Sequence, residues 1–198
     1  MAKDLRTKIL LQTDTSALWV VENYIPEEYQ EEFLDGVQGL YLQKNPPVVV
    51  CGKKCNQKRA VGFFSDVAAE YQYSGQAMEA RPLTSDLKRI LPAVNNSLGT
   101  DFNGILVNRY EDGEDYIGAH SDDETGLSGG KVASISFGAT RTFRIRDKKS
   151  KKIVLDYEVP AYSLLVMDGD FQKEFTHEMP VRKKVKDTRW SLTFRSHN

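Results

Sequence analysis

Residues 189–195 read RWSLTFR, and their strict alternation constrains the chain more than any other feature. In an extended strand successive side chains point to opposite faces. Arg189, Ser191, Thr193 and Arg195 therefore share one face, and Trp190, Leu192 and Phe194 share the other. The apolar face needs a core to cover it, which makes this a strand of a packed sheet. The polar face admits two readings. It is either the outer face of an edge strand with solvated arginines, or an inward wall around a polar tenant. A small dicarboxylate suits the second, because a guanidinium fork holds a carboxylate through two parallel charge-assisted hydrogen bonds.

The chain has only three histidines. His120-Ser121-Asp122 places an imidazole and a carboxylate two residues apart, on one face of an extended segment, and His177 ends a second strand-rich block. Two imidazoles and one carboxylate with open positions form the facial donor set of non-haem Fe(II) oxygenases. The alternative is a surface histidine beside solvated acids, since Asp123 and Glu124 follow directly. Residues 102–110, FNGILVNRY, read as a strand that brings Asn108 and Tyr110 to one face, either as hydrogen-bond donors to a carboxylate or simply as polar residues at a strand end. His197 reads as a bystander in a frayed tail.

At 198 residues one domain is expected, long enough to bury a core without staples. Lysine and arginine total 27 against 28 acids, a formal charge of -1, so nucleic-acid binding has to come from local patches. Cys51 and Cys55 are too few for a disulfide framework and read as reduced thiols. No apolar run approaches the length of a membrane span, and the start MAKDLRTKIL lacks a signal-peptide core. A monomer in the cytoplasm or nucleus is expected.

Residues 1–17 read as a lightly packed lead-in, followed by a strand at 17–25 and a helix opened by Pro26. Together, about 1–45 should brace one side of the core. Residues 46–82 carry CGKKCNQKRAVGFFSDVAAEYQYSG, which combines cations (Lys53, Lys54, Lys58, Arg59) for phosphate contact with aromatics (Phe63, Phe64, Tyr71, Tyr73) for base stacking. That stretch is either a nucleotide-binding lid or a half-buried hairpin with solvated lysines. Residues 83–198 then supply a support helix, capped at Thr84 and ended at Gly99 with a kink or break at Pro92, and a series of short strands. Two basic runs stand out, Lys148 to Lys152 in a hairpin turn and Arg182-Lys183-Lys184-x-Lys186 just after His177. The second is the better phosphate candidate. Helices collected in the first half and short strands after residue 100 point to a mainly β chain with flanking helices, a double-stranded β-helix or jelly roll.

The set Asn108-x-Tyr110, His120-x-Asp122, His177, Arg189 and Arg195, with the phrases ISFGATRTF, SLLVMDGD, HEMPVRKKV and SLTFR, resembles the AlkB family of Fe(II)/2-oxoglutarate dioxygenases that demethylate nucleic-acid bases. The likeness runs from about residue 46 to 195 and is greatest to the eukaryotic-type DNA-repair members. It implies a jelly roll with an N-terminal nucleotide-recognition lid, and Fe(II) held by His120, Asp122 and His177. It also implies 2-oxoglutarate and O2 as cosubstrates, the keto acid held by Arg189 with Asn108, Tyr110, Ser191, Thr193 and Arg195. By the same resemblance Tyr71 and Tyr73 line the base pocket, Arg59 lies near the DNA backbone, and Asp123 and Glu124 face an exocyclic amine. Cys51-Gly52-Lys53 occupies the place where duplex-repairing members carry an apolar or aromatic finger. A thiol fills a base-stack gap poorly, so single strands or small loops are the expected substrate, with 1-methyladenine and 3-methylcytosine as the lesions. Demethylation of RNA or of another methylated amine, and a nucleic-acid-binding module without turnover, are the alternatives.

Overall fold

The computed structural model describes residues 7–50, 52–67, 70–73, 76–123 and 127–197; at 50, 70–73, 76–77 and 127–129 it describes the backbone alone. In chain order the elements are β1 (Thr7–Gln12), β2 (Ser16–Val21), α1 (Glu27–Gln38), β3 (Gln43–Lys44), β4 (Pro47–Val50), β5 (Lys53–Asn56), β6 (Ala60–Phe64), β7 (Glu70–Tyr73), β8 (Gln76–Glu79), α2 (Ser85–Leu98), β9 (Gly104–Tyr110), β10 (Ile117–His120), β11 (Leu127–Gly138), β12 (Arg141–Asp147), β13 (Ile153–Val159), β14 (Leu164–Gly169), α3 (Phe171–Glu174), β15 (Phe175–Met179) and β16 (Arg189–His197).

Two antiparallel sheets face one another. The larger has eight strands in the order β1-β2-β14-β11-β16-β9-β6-β3, and the smaller has four in the order β10-β15-β12-β13. The order is far from sequential, as a jelly roll demands: late strands β14 and β16 are inserted among early ones. Hairpins β4–β5 and β7–β8 stand apart from both sheets.

The outer face of the large sheet is covered by α1 and α2. Leu87, Ile90, Leu91 and Val94 of α2 recur at helical spacing and meet Ile105, Val107, Trp190, Leu192 and Phe194 in the main core. Thr84 caps α2 through the Leu87 N–H, and Gly99 ends it in the left-handed conformation, φ 62°. The helix continues through Pro92, where a kink or division was expected. Pro92 and Lys88 lie on the solvent face, so water can serve the Lys88 carbonyl that the proline leaves without a donor.

Between the sheets the apolar packing is divided. Leu18, Val20, Val132, Ile145, Leu165, Phe171 and Phe175 form one cluster, and Val61, Phe63 and Leu106 another. A polar pocket lies between these clusters.

Two expectations need correction, and one short element carried no expectation. Residues 7–12, read as lead-in, form β1, paired with β2 at the edge of the large sheet. The stretch delivering His177 contains a one-turn helix, α3, that periodicity could not reveal at such length. His197 is no frayed bystander: it closes β16, its backbone exchanges hydrogen bonds with the Asn103 side chain, and its ring lies 4.9 Å from Phe63.

Candidate metal centre and cosubstrate pocket

The alternation in β16 places the site. Trp190, Leu192 and Phe194 enter the helix-side core, while Arg189, Ser191, Thr193 and Arg195 line the pocket between the sheets, all four buried. Register extends this wall sideways. Ser191 lies opposite Asn108 of β9 and Ser136 of β11, Thr193 opposite Ser134, and Arg189 opposite Tyr110. Residues paired directly across neighbouring strands point to the same face, so the pocket floor is a grid of hydroxyl, amide and guanidinium groups. Leu165, Met167, Phe143, Val159 and Met179 supply apolar walls.

His120 and His177 come from the small sheet, where β10 and β15 pair them directly across the ladder. Asp122 follows His120 in the loop and turns its carboxylate towards both. Its Oδ1 is 3.8 Å from His120 Nε2, and its Oδ2 is 3.7 Å from His177 Nε2. One donor atom from each of the three lies within 4.8 Å of the others. Bonds of about 2 Å to a common ion would place neighbouring donors about 3 Å apart, so a small contraction suffices.

Charge state also fits a cation. Burial pushes the His120 imidazole down to about 3, with His177 beside it adding to the effect. Burial likewise takes His177 to about 3, helped by the Arg195 guanidinium and Lys148. Both rings are neutral at physiological pH and offer a lone pair, as metal ligation requires. His120 Nδ1 lies 2.8 Å from the Gly118 carbonyl, which fixes that ring. The His177 ring is stacked on Phe143 at 5.3 Å between centroids.

Two arginines separate in function by their partners. Arg195 donates through Nη2 to Asp122 Oδ1, binding the sheet's polar wall to the proposed metal ligand. Arg189 is 2 % exposed and donates to Ser136 Oγ and to the carbonyls of Ala139 and Val159. Burial lowers its pKa to about 10, which still leaves it charged.

Other expected site residues fall differently. Arg59, expected near the DNA backbone, is only 4 % exposed and lines the pocket, its Nε donating to Asn108 Oδ1 at 2.7 Å. It immediately precedes β6, which pairs with β9, and its bond to Asn108 of β9 holds it in the pocket. Asp123 is exposed and forms an ion pair with Lys148 Nζ at 3.3 Å, so this carboxylate has a cationic partner of its own. Lys148 is thereby engaged and is not a free phosphate contact. Arg182 donates to Thr142 Oγ1 at 2.8 Å, while Lys183 and Lys184 are exposed. Gly52 and Lys53 belong to the β4–β5 hairpin and are exposed. Tyr71 and Tyr73 lie on β7, opposite Met78 and Gln76. Cys51, Glu124 and the Tyr71 and Tyr73 side chains lie outside the described residues.

Sequence reading missed several participants. Ser134 and Ser136 were legible as alternate residues of VASISFG, had that strand been read for its polar face. Arg141 and Gln172 carried no such signal, because each acts on main-chain atoms distant in sequence, while Lys148, read only as a phosphate candidate, ties Asp123 to the Gln172 carbonyl. Arg141 is 1 % exposed and holds the carbonyls of Asp112, Asp115 and Pro180, tying the loop before β10 to the end of β15.

A jelly roll with an inward His-x-Asp…His triad and buried arginines behind it defines the class of iron- and keto-acid-dependent oxygenases. The 2OG-Fe(II) oxygenase superfamily matches residues 17–195. The human DNA oxidative demethylase ALKBH2 is 38% identical over 156 residues, 75% of this chain and 60% of that protein. The human alpha-ketoglutarate-dependent dioxygenase alkB homolog 3 is 33% identical over 150 residues, 71% of this chain and 52% of that one. The chain thus spans between half and two thirds of the length of these relatives. A solved structure, OsALKBH1, superposes with a TM-score of 0.59 at 18% identity, covering 90% of this chain and 97% of its own. The chain belongs to the 2OG-Fe(II) oxygenase superfamily as an AlkB-family member, with that family's Fe(II), 2-oxoglutarate and O2.

Proposed function

We propose that this chain oxidatively demethylates N-alkylated bases in DNA, with 1-methyladenine and 3-methylcytosine as substrates, and so reverses alkylation damage directly. The observation that carries the reading is the convergence of His120, Asp122 and His177 beside Arg195 and Arg189 in one pocket between the sheets. The similarity to ALKBH2, a DNA oxidative demethylase, supports DNA as the substrate class. When bound, Fe(II) with 2-oxoglutarate and O2 supplies oxidation of an N-methyl group, leaving succinate, CO2 and, after loss of the hydroxymethyl, formaldehyde.

The chain's own residues bind and orient. His120, Asp122 and His177 would hold the iron from one side and leave the other open. Arg189 would take one keto-acid carboxylate, with Ser191, Thr193, Asn108 and Tyr110 on the same wall, and Arg195 beside Asp122 would serve the other. Leu165, Met167, Phe143 and Val159 exclude water from the reacting centre. The β4–β5 and β7–β8 hairpins would hold an extruded base with its methyl group at the pocket, and Lys183 and Lys184 would meet the phosphate backbone. A DNA substrate places the protein in the nucleus or cytoplasm. Among the described residues no helix is long and apolar enough to cross a membrane.

The assay is incubation with methylated single-stranded oligonucleotide, Fe(II) and 2-oxoglutarate, scored for restored base and formaldehyde. Iron-loaded protein that yields neither rejects the reading. Matched DNA and RNA strands decide between nucleic acids, and single-stranded against duplex substrate, repeated with Cys51→Phe, decides strandedness.

A further inference from the structure

Residues 121–123 carry the one carboxylate of the triad, and all three are tied to the same small structure. The Ser121 hydroxyl donates to the Phe175 carbonyl at 2.9 Å. The Asp122 N–H donates to Gln172 Oε1 at 2.9 Å. Asp123 pairs with Lys148, whose Nζ also donates to the Gln172 carbonyl at 2.6 Å. Gln172 and Phe175 belong to α3 and the first residue of β15, the segment that delivers His177. The ladder between β10 and β15 ends at the His120–His177 pair, so sheet pairing does not extend to residues 121–123. Side chains take over that task.

Gln172 is central to this arrangement. It is 8 % exposed, its Oε1 accepts from Asp122, and its Nε2 lies 3.4 Å from Met167 Sδ, so both ends of its amide are occupied. It touches neither the keto-acid wall nor the donor atoms of the triad. We propose that Gln172, braced by Lys148, is a positioning residue that sets the backbone of Asp122 so that its carboxylate meets His120 and His177. Arg195 fixes the carboxylate end of the same residue. Asp122 is thus held at both ends, its backbone by α3 and its carboxylate by β16 of the large sheet. The inference rests on the metal-site part of the proposed function and is independent of the substrate.

The test is Co(II) binding to metal-free protein, followed by visible absorption, with thermal midpoints measured alongside. Gln172→Leu keeps the bulk and removes the acceptor, and Co(II) affinity falls about 10- to 100-fold. Gln172→Glu keeps an acceptor oxygen at the same reach and recovers most of that loss, which a merely structural role would not produce. Lys148→Met weakens Co(II) binding about threefold to tenfold. Wild-type affinity in a folded Gln172→Leu, or equal losses in the Leu and Glu variants, overturns the proposal. If Gln172→Leu does not fold, unchanged affinity in Lys148→Met overturns it. Wild-type protein that binds Co(II) but never demethylates an oligonucleotide rejects the substrate reading and leaves this one standing.

Discussion

At the residue scale, the site separates groups that must be neutral from groups that must be charged, and burial does the separating. Removing an imidazole from water disfavours its cation, which leaves His120 and His177 ready for metal, while the guanidinium of Arg189 stays charged despite a lowered pKa. His177→Ala deletes one donor of three. Turnover is expected to fall below detection, while oligonucleotide affinity stays within about threefold because phosphate contacts dominate it. Gel shift alongside formaldehyde release checks both halves, and equal loss of binding would move His177 into the nucleic-acid surface. His197 offers a pH test away from the metal. Its pKa is lowered to about 4, by burial first and then by Arg195. The unfolded chain, near the ordinary 6.5, takes the proton first, so the stability is present above pH 6.5 and is lost as pH falls towards 4. With its partial exposure allowed for, wild type should lose about 1 kcal/mol more than His197→Gln between pH 7 and pH 5. Urea unfolding at the two pH values measures it, and parallel losses in the two proteins refute it.

Elements explain why part of this site was legible in sequence and part was not. Period-two alternation survives folding, so β16 could be sorted into a core face and a pocket face from RWSLTFR alone, and β9 delivered Asn108 and Tyr110 by the same rule. Helix α2 announced itself through its cap, its apolar spacing and Gly99. What escaped is long-range: β1 has an exposed outer pattern and becomes a strand only because β2 is there to pair with it. Arg59 reads as one more cation of a basic stretch until its guanidinium is seen bonded to Asn108 of β9 inside the pocket. The loop between β9 and β10 is another such case, since nothing in its own residues shows the segment it packs against. Gly113 there donates to the Val185 carbonyl and accepts from the Arg182 N–H at 2.6 Å, and an added Cβ would sit 1.8 Å from the Arg182 carbonyl oxygen. That approach is open to glycine alone. Gly113→Ala should separate the two segments and cost about 2 kcal/mol, read as a lowered thermal midpoint with faster proteolysis at residues 111–116. An unchanged midpoint would mean that the loop re-forms without this backbone contact.

On the scale of the whole molecule, the pocket interrupts the packing between two sheets, with Arg59, Arg189, Arg195 and Asp122 buried where apolar side chains would otherwise meet. Ligands that bind the folded state and not the unfolded one stabilise the fold by mass action. Metal and keto acid should therefore raise the thermal midpoint in two separable steps. Each ligand at about 100 times its Kd contributes about 2.7 kcal/mol. For a chain of this size that corresponds to a rise of roughly 5–10 °C per ligand. Mn(II) under argon provides the first step without turnover, and 2-oxoglutarate added to the Mn(II) form provides the second. Asp122→Ala should abolish the first step. Arg189→Met should keep the first and lose the second, because Arg189 has no contact with His120, Asp122 or His177 and its partners are Ser136 and the carbonyls of Ala139 and Val159. A full 2-oxoglutarate step in Arg189→Met would mean that the keto acid is anchored elsewhere, and the polar face of β16 would then need another tenant.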